Sequence, residues 1–296
     1  MLNVLEYCAN HYAFRKQSFD RGEQMMSSIS ERSNQYMLKW PLLFAVAIIV
    51  GKTVIETAGV IAGGAVGLPE PALPVIALLL ASAIALGLVW WSGWWRDSGF
   101  VTTVRNLPAL TVPFLLLFPI VIYFGVVEID GPVFGFLLLL FFLTGFSEEV
   151  FYRGFLLRLF LPRGRVYAVV VTAVLFGLSH LPQLLQGLTL TDNAIQIAQA
   201  IIFGLLYGAV RLRIDSIWPL VFMHMLFDVT AAIGGVFGPT AVRTISDIPL
   251  ALWLVILVPS LIAAGYYLWK PSTATIDGHP ISEQPEPIVG DVARPG

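Results

Sequence analysis

Cysteine is almost missing. Cys8 is the single one in 296 residues, so no disulfide closes within the chain and no cysteine-based metal cluster can form; on its polar arm it reads as a bystander thiol. Charge is scarce too, at 12% of residues against 57% hydrophobic. A net charge of −2 offers nucleic acid no basic surface, so no nucleic-acid partner is expected. No Gly-x-Ser-x-Gly elbow occurs. With Cys8 outside the apolar runs, a covalent serine or cysteine mechanism has little support. A removable signal peptide is not visible either. Residues 1–39 are polar and mixed in charge, and the first long apolar run starts at Trp40, which reads as an uncleaved signal anchor.

What is present is apolar sequence in blocks long enough to cross a bilayer, about 20 residues each. Eight such blocks are expected: 40–61, 72–92, 109–127, 131–160, 166–185, 194–211, 216–238 and 248–269. The fold class is therefore all-α, a polytopic membrane protein of about eight transmembrane helices in the cell membrane, with membrane lipids as its surroundings. Three regions follow: an N-terminal arm 1–39, a transmembrane domain 40–270, and a Pro-rich, polar tail 271–296 that reads as disordered. Lys and Arg gather in cytoplasmic segments. All but three of the 17 fall on the side that carries both termini, so the arm and the tail are expected in the cytoplasm; Arg243 is on the other side, and Lys52 and Arg153 lie inside spans. The cluster Trp90, Trp91, Trp94, Trp95 before Arg96 reads as an interfacial anchor. Gly234-Gly235 reads as a site of close helix packing.

Against that background the segment Glu148-Glu149-Val150-Phe151-Tyr152-Arg153 stands out. Three ionisable groups at mid-membrane cost on the order of 8–10 kcal/mol unless they find partners. Counting about 1.5 Å per helical residue puts Glu148 about 20 Å, His180 about 21 Å, His224 about 12 Å and Asp228 about 18 Å from the cytoplasmic end of their spans. Three helices thus bring carboxylates and imidazoles to similar depth. Glu149 and Arg153 are spaced i, i+4, as an ion pair on one face requires, while Glu148 points about 100° away. His224 and Asp228 share the i, i+4 spacing, as do Phe176 and His180 and, on the first span, Lys52 and Glu56, which should neutralise each other. A desolvated glutamate is a competent general base for water, and histidine can orient that water or donate to a developing oxyanion. The set suits hydrolysis of an amide by activated water. The same buried carboxylates would also serve a transporter or a proton relay, or an immunity or scaffold protein without turnover.

Taken together, Glu148-Glu149-x-x-x-Arg153, Phe176-x-x-x-His180 and His224-x-x-x-Asp228, in that order on separate expected helices within 131–238, resemble the pattern of the CAAX prenyl endopeptidase and bacteriocin-processing (abortive infection) membrane protease family. The resemblance implies an all-helical intramembrane endopeptidase whose site opens to the cytoplasm and whose partner is a peptide or lipidated protein substrate. It implies that Glu148 with His180 activates water, that His224 with the residue at Asp228 stabilises the oxyanion, and that Glu149 with Arg153 supports the site. Where the family has Asn, the carboxylate of Asp228 instead suits acceptance of the His224 ring N–H. The family has been read both as metal-dependent and as metal-free. No cofactor is required on the reading preferred here, and zinc held by Glu148, His180 and His224 is the alternative.

Overall fold

The computed structural model describes residues 37–270, 275–276 and 279–280. The arm 1–36 with Cys8, and nearly all of the tail, lie outside the described residues. Apart from a two-residue ladder between Thr275–Ile276 and His279–Pro280, what is described is helices and their connections.

The long helices are α1 (Pro41–Ala65), α2 (Ala72–Ser92), α5 (Gly131–Glu149), α7 (Arg165–Leu178), α8 (Leu190–Arg211), α9 (Trp218–Ile233) and α10 (Leu250–Trp269). Two short helices, α3 (Thr111–Leu115) and α4 (Pro119–Phe124), make up the third expected span, and α6 (Leu157–Phe160) continues α5. Seven segments are long and apolar enough to cross a membrane, and α9 is an eighth apolar helix, shorter than the rest. The architecture is the expected polytopic one.

Local chemistry accounts for the boundaries. The third span breaks at residues 116–118 because Pro119 has no N–H to offer the preceding turn. Helix α8 starts where the Thr189 side chain accepts from the Asp192 amide, an N-cap that satisfies an orphan donor. Helix α9 ends at Gly234; Gly235 takes a left-handed turn at φ 71°, and its carbonyl accepts from Val242 and Arg243. Of the glycine pair, Gly234 fits close packing: a Cβ there would lie 2.7 Å from Ile120. Gly235 is as tightly packed, with a Cβ there 2.8 Å from Val127, and serves the turn as well.

The fourth span continues beyond α5 through a π-helical stretch, Val150–Leu156, into α6 and a 3-10 turn at Leu161–Arg163. Such a stretch takes i→i+5 hydrogen bonds and is often found at functional sites. Nearly every side chain in it is sealed: Val150, Phe151, Phe155 and Leu156 have no exposed surface. They form a core with Trp94, Phe160, Ala168 and Val169. Trp90, Trp91 and Trp95 are exposed, as an interfacial anchor requires, whereas Trp94 is buried against Phe155 and the Arg158 guanidinium.

Polar contacts tie together each end of the bundle. At one end Arg163 donates to Leu38 O, Arg165 to Lys270 O, Arg158 pairs with Asp97, and Arg211 donates to Asp97 O. At the other, Val127 N donates to Ile233 O, Ser246 N to the Asp192 carboxylate, and Thr240 to Ala232 O.

Candidate active site

The segment that carries the acidic pair places its two carboxylates differently. Glu149 is completely buried. Its Oε1 accepts from Arg153 Nη1 at 2.7 Å and lies 2.8 Å from His224 Nδ1, which donates to it as the ring N–H. Glu148, one residue earlier, keeps 23% of its side chain exposed and faces a cavity of about 740 Å³. Its Oε2 is 3.6 Å from His224 Nε2. One imidazole therefore lies between the two glutamates, hydrogen-bonded to Glu149 and only near Glu148.

Close approach of α5 and α9 makes this possible. Gly145 sits one turn before Glu149, and a Cβ there would lie 2.8 Å from Val221 O and 3.2 Å from Met225 N. Without a side chain, Gly145 lets the α9 backbone come near enough for His224 to reach Glu149.

Arg153, 4% exposed, is held by more than the ion pair. Its guanidinium lies 4.5 Å from the Phe176 ring centre and 5.6 Å from that of Tyr207, so two aromatic faces supply cation–π attraction in a desolvated place. Phe176 also meets His180 and His224 edge to face, at 5.2 and 6.4 Å between ring centres.

His180 lies just past the last residue of α7, in the turn before a 3-10 helix at Leu181–Gln186. Its Nδ1 is 2.9 Å from Phe176 O. A carbonyl only accepts, so Nδ1 carries the proton and Nε2 of the neutral ring is left as an acceptor. The backbone carbonyl of His180 accepts from the Asn193 side chain, which is 1% exposed. The turn that presents His180 is thus pinned to the start of α8.

Glu148, Arg153, His180, His224 and Asp228 all line the one cavity, and Glu149 sits behind its wall. The structure therefore brings the six expected residues together. It alters one assignment. The carboxylate that accepts the His224 ring N–H is Glu149; Asp228 Oδ2 is 3.7 Å from Nε2 and, although buried, has no hydrogen-bond partner. The sequence alone did not mark Gly145 or Asn193. Signals existed for both: a glycine one turn before Glu149, and an asparagine in the first turn of an apolar helix.

Lys52 and Glu56 form the expected ion pair at 2.8 Å and line the same cavity. The rest of its wall mixes apolar side chains with amides and hydroxyls, including Thr53, Thr144, Ser147, Gln183 and Gln199.

A zinc centre would need three side-chain donors about 2.0–2.2 Å from a common point. Among the described residues no group of three or more His, Cys, Asp or Glu is arranged that way. Of the three residues named for zinc, His224 bonds Glu149 through Nδ1, and its Nε2 faces Glu148 and Asp228.

An all-helical membrane protein with a carboxylate–imidazole cluster facing a cavity of about 740 Å³ belongs to the class of candidate intramembrane hydrolases. Residues 130–230 match the family model described as type II CAAX prenyl endopeptidase Rce1-like, and the match supports the CAAX prenyl endopeptidase and bacteriocin-processing protease family. That family implies a peptidase acting on a peptide substrate in the membrane. No curated protein and no solved structure matches the chain.

Proposed function

We propose that this protein is an intramembrane endopeptidase that hydrolyses a peptide bond in a membrane-associated or lipidated peptide, with water activated by Glu148. The observation that carries the reading is the contrast between the two glutamates. Glu149 is spent on structure, bound on one oxygen by both Arg153 and His224. Glu148 is free of such bonds and open to the chamber.

In this mechanism a water molecule gives one hydrogen bond to Glu148 and one to Nε2 of His180. Glu148 takes the proton as the water oxygen attacks the scissile carbonyl, then returns it to the leaving amine. His224, fixed by Glu149 through Nδ1, donates from Nε2 to the oxyanion when the ring is doubly protonated. Asp228 lies beside that nitrogen and balances the charge of the imidazolium. Arg153, paired with Glu149, holds that side chain in one rotamer. No step passes through a metal.

The relay alternative has less support. Below Arg153 the π-helical stretch is packed by fully buried Phe155 and Leu156, with no polar side chain of its own to carry a proton onward.

The test is cleavage of a hydrophobic, internally quenched peptide by the protein purified into vesicles. Glu148→Gln should lower the rate by about 10²–10⁴-fold, the usual worth of a general base, with its thermal unfolding unchanged. Equal rates in Glu148→Gln and wild type would end the assignment. Chelator titration in the same assay addresses the metal: the metal-free reading expects no loss of rate.

A further inference from the structure

The bundle has two chemically distinct ends. Every described Lys and Arg outside the interior of the spans, except Arg243, lies at one of them, with Arg96, Arg163, Arg165 and Lys270 among them. The other end carries exposed Glu70, Glu128, Asp130 and Asp247 and, among the described Lys and Arg, Arg243 alone. Short connections rich in Lys and Arg stay in the cytoplasm, so the basic end is the cytoplasmic one.

The chamber belongs to the opposite end. Towards the basic end its lining reaches Arg153 and Tyr207, the latter one turn before the end of α8 at Arg211. From there the lining runs only outward, through Glu148 and His180, to Ile61 and Pro74 around the α1–α2 connection, Gln186 before α8, and Gly238 and Ile245 between α9 and α10. Ile61 and Gln186 are exposed at that rim. None of the lining residues comes from the connections that hold Arg96, Arg105, Arg163 or Arg213. Towards the basic end the floor is closed. The fully buried π-helical residues form it on one side, and on another Phe100, Phe146 and Trp218 meet with ring centres 5.9–6.2 Å apart.

We infer that the chamber is entered from the extracytoplasmic face, and that its substrate is a peptide segment exposed on, or emerging at, that side of the membrane. This departs from the cytoplasmic opening implied by the resemblance. A lipidated C-terminus anchored in the cytoplasmic leaflet would meet the closed floor. The word substrate rests on the peptidase reading, whereas the direction of access does not.

Labelling separates the two. In the full-length protein with Cys8→Ser, single cysteines are placed by Lys39→Cys and Arg96→Cys at the basic end, Glu70→Cys at the acidic end, and Gln199→Cys in the chamber wall. Intact cells are treated with a small membrane-impermeant thiosulfonate. Glu70→Cys and Gln199→Cys should react at once, and the other two only after permeabilisation. The reverse pattern overturns the inference, as does a Gln199→Cys that stays silent while Glu70→Cys reacts. In a second arm, quenched peptide is added outside right-side-out or inverted vesicles. Cleavage should be confined to the first, and cleavage by the second alone overturns the inference. If neither cleaves, the peptidase reading fails, and the labelling pattern still decides the direction of access.

Discussion

Arg153→Met tests the structural half of the cluster. The substitution keeps much of the side-chain volume and removes the charge. Glu149, with no exposed surface, then retains one donor, His224, where it had two at 2.7 and 2.8 Å. Its Oε2 already has no partner. Removing one member of a buried pair costs about 3–5 kcal/mol because the other charge is left uncompensated. Loss of the guanidinium over Phe176 adds about 1–2 kcal/mol. The sum, about 4–7 kcal/mol, approaches the whole stability of a typical domain, roughly 5–15 kcal/mol. Removing both charges, in Glu149→Met with Arg153→Met, should be milder than Arg153→Met alone, since no orphan charge remains. Equilibrium unfolding in mixed micelles, followed by circular dichroism across the double-mutant cycle, measures this. A single-variant cost below about 1 kcal/mol, or additivity within about 0.5 kcal/mol, would refute the reasoning.

Other outcomes follow from the same geometry. Gly145→Ala should push α9 from α5 through the Val221 carbonyl, costing about 1–3 kcal/mol and most of the cleavage activity; a stable variant of unchanged rate would contradict the close-approach argument. Asn193→Ala should cost about 1 kcal/mol by releasing the His180 carbonyl, and lower kcat more than it raises KM, as expected of a residue that positions His180; a change in KM alone would assign Asn193 to substrate binding instead. Outside the membrane, the Thr244 backbone amide donates to Asp247 and holds that carboxyl below the usual carboxylate range. Its folded-state value is depressed, so the contribution is present at neutral pH and is lost as pH falls through that lowered value. Hydrogen exchange at the Thr244 amide, corrected for intrinsic rate, should lose protection over that acid range and not above it.

The spacing rules carried much of this site. Glu149 with Arg153 and Lys52 with Glu56 were legible because i, i+4 residues on a helix must be neighbours. Convergence of Glu148, His180 and His224 was legible from counting depth, because the bilayer fixes where each span starts. What escaped depends on how helices approach one another. Which carboxylate accepts from His224 is decided by the gap at Gly145 between α5 and α9, and neither helix alone records it. The stacking of Phe176 and Tyr207 on Arg153 joins three separate segments. Composition marked residues 109–127 as one span, and Pro119 divides it, although that proline was visible. The direction of the chamber needed the side chains at both ends of the bundle at once.

The π-helical stretch after Glu149 has a consequence for how the chain tolerates change. It fixes the rotational phase between the half of the helix that displays Glu148 and the half that anchors Arg158 to Asp97. A one-residue deletion there would turn one half against the other by about 100°, whereas the surface connections absorb such changes cheaply. Across 150–156, length is as constrained as identity.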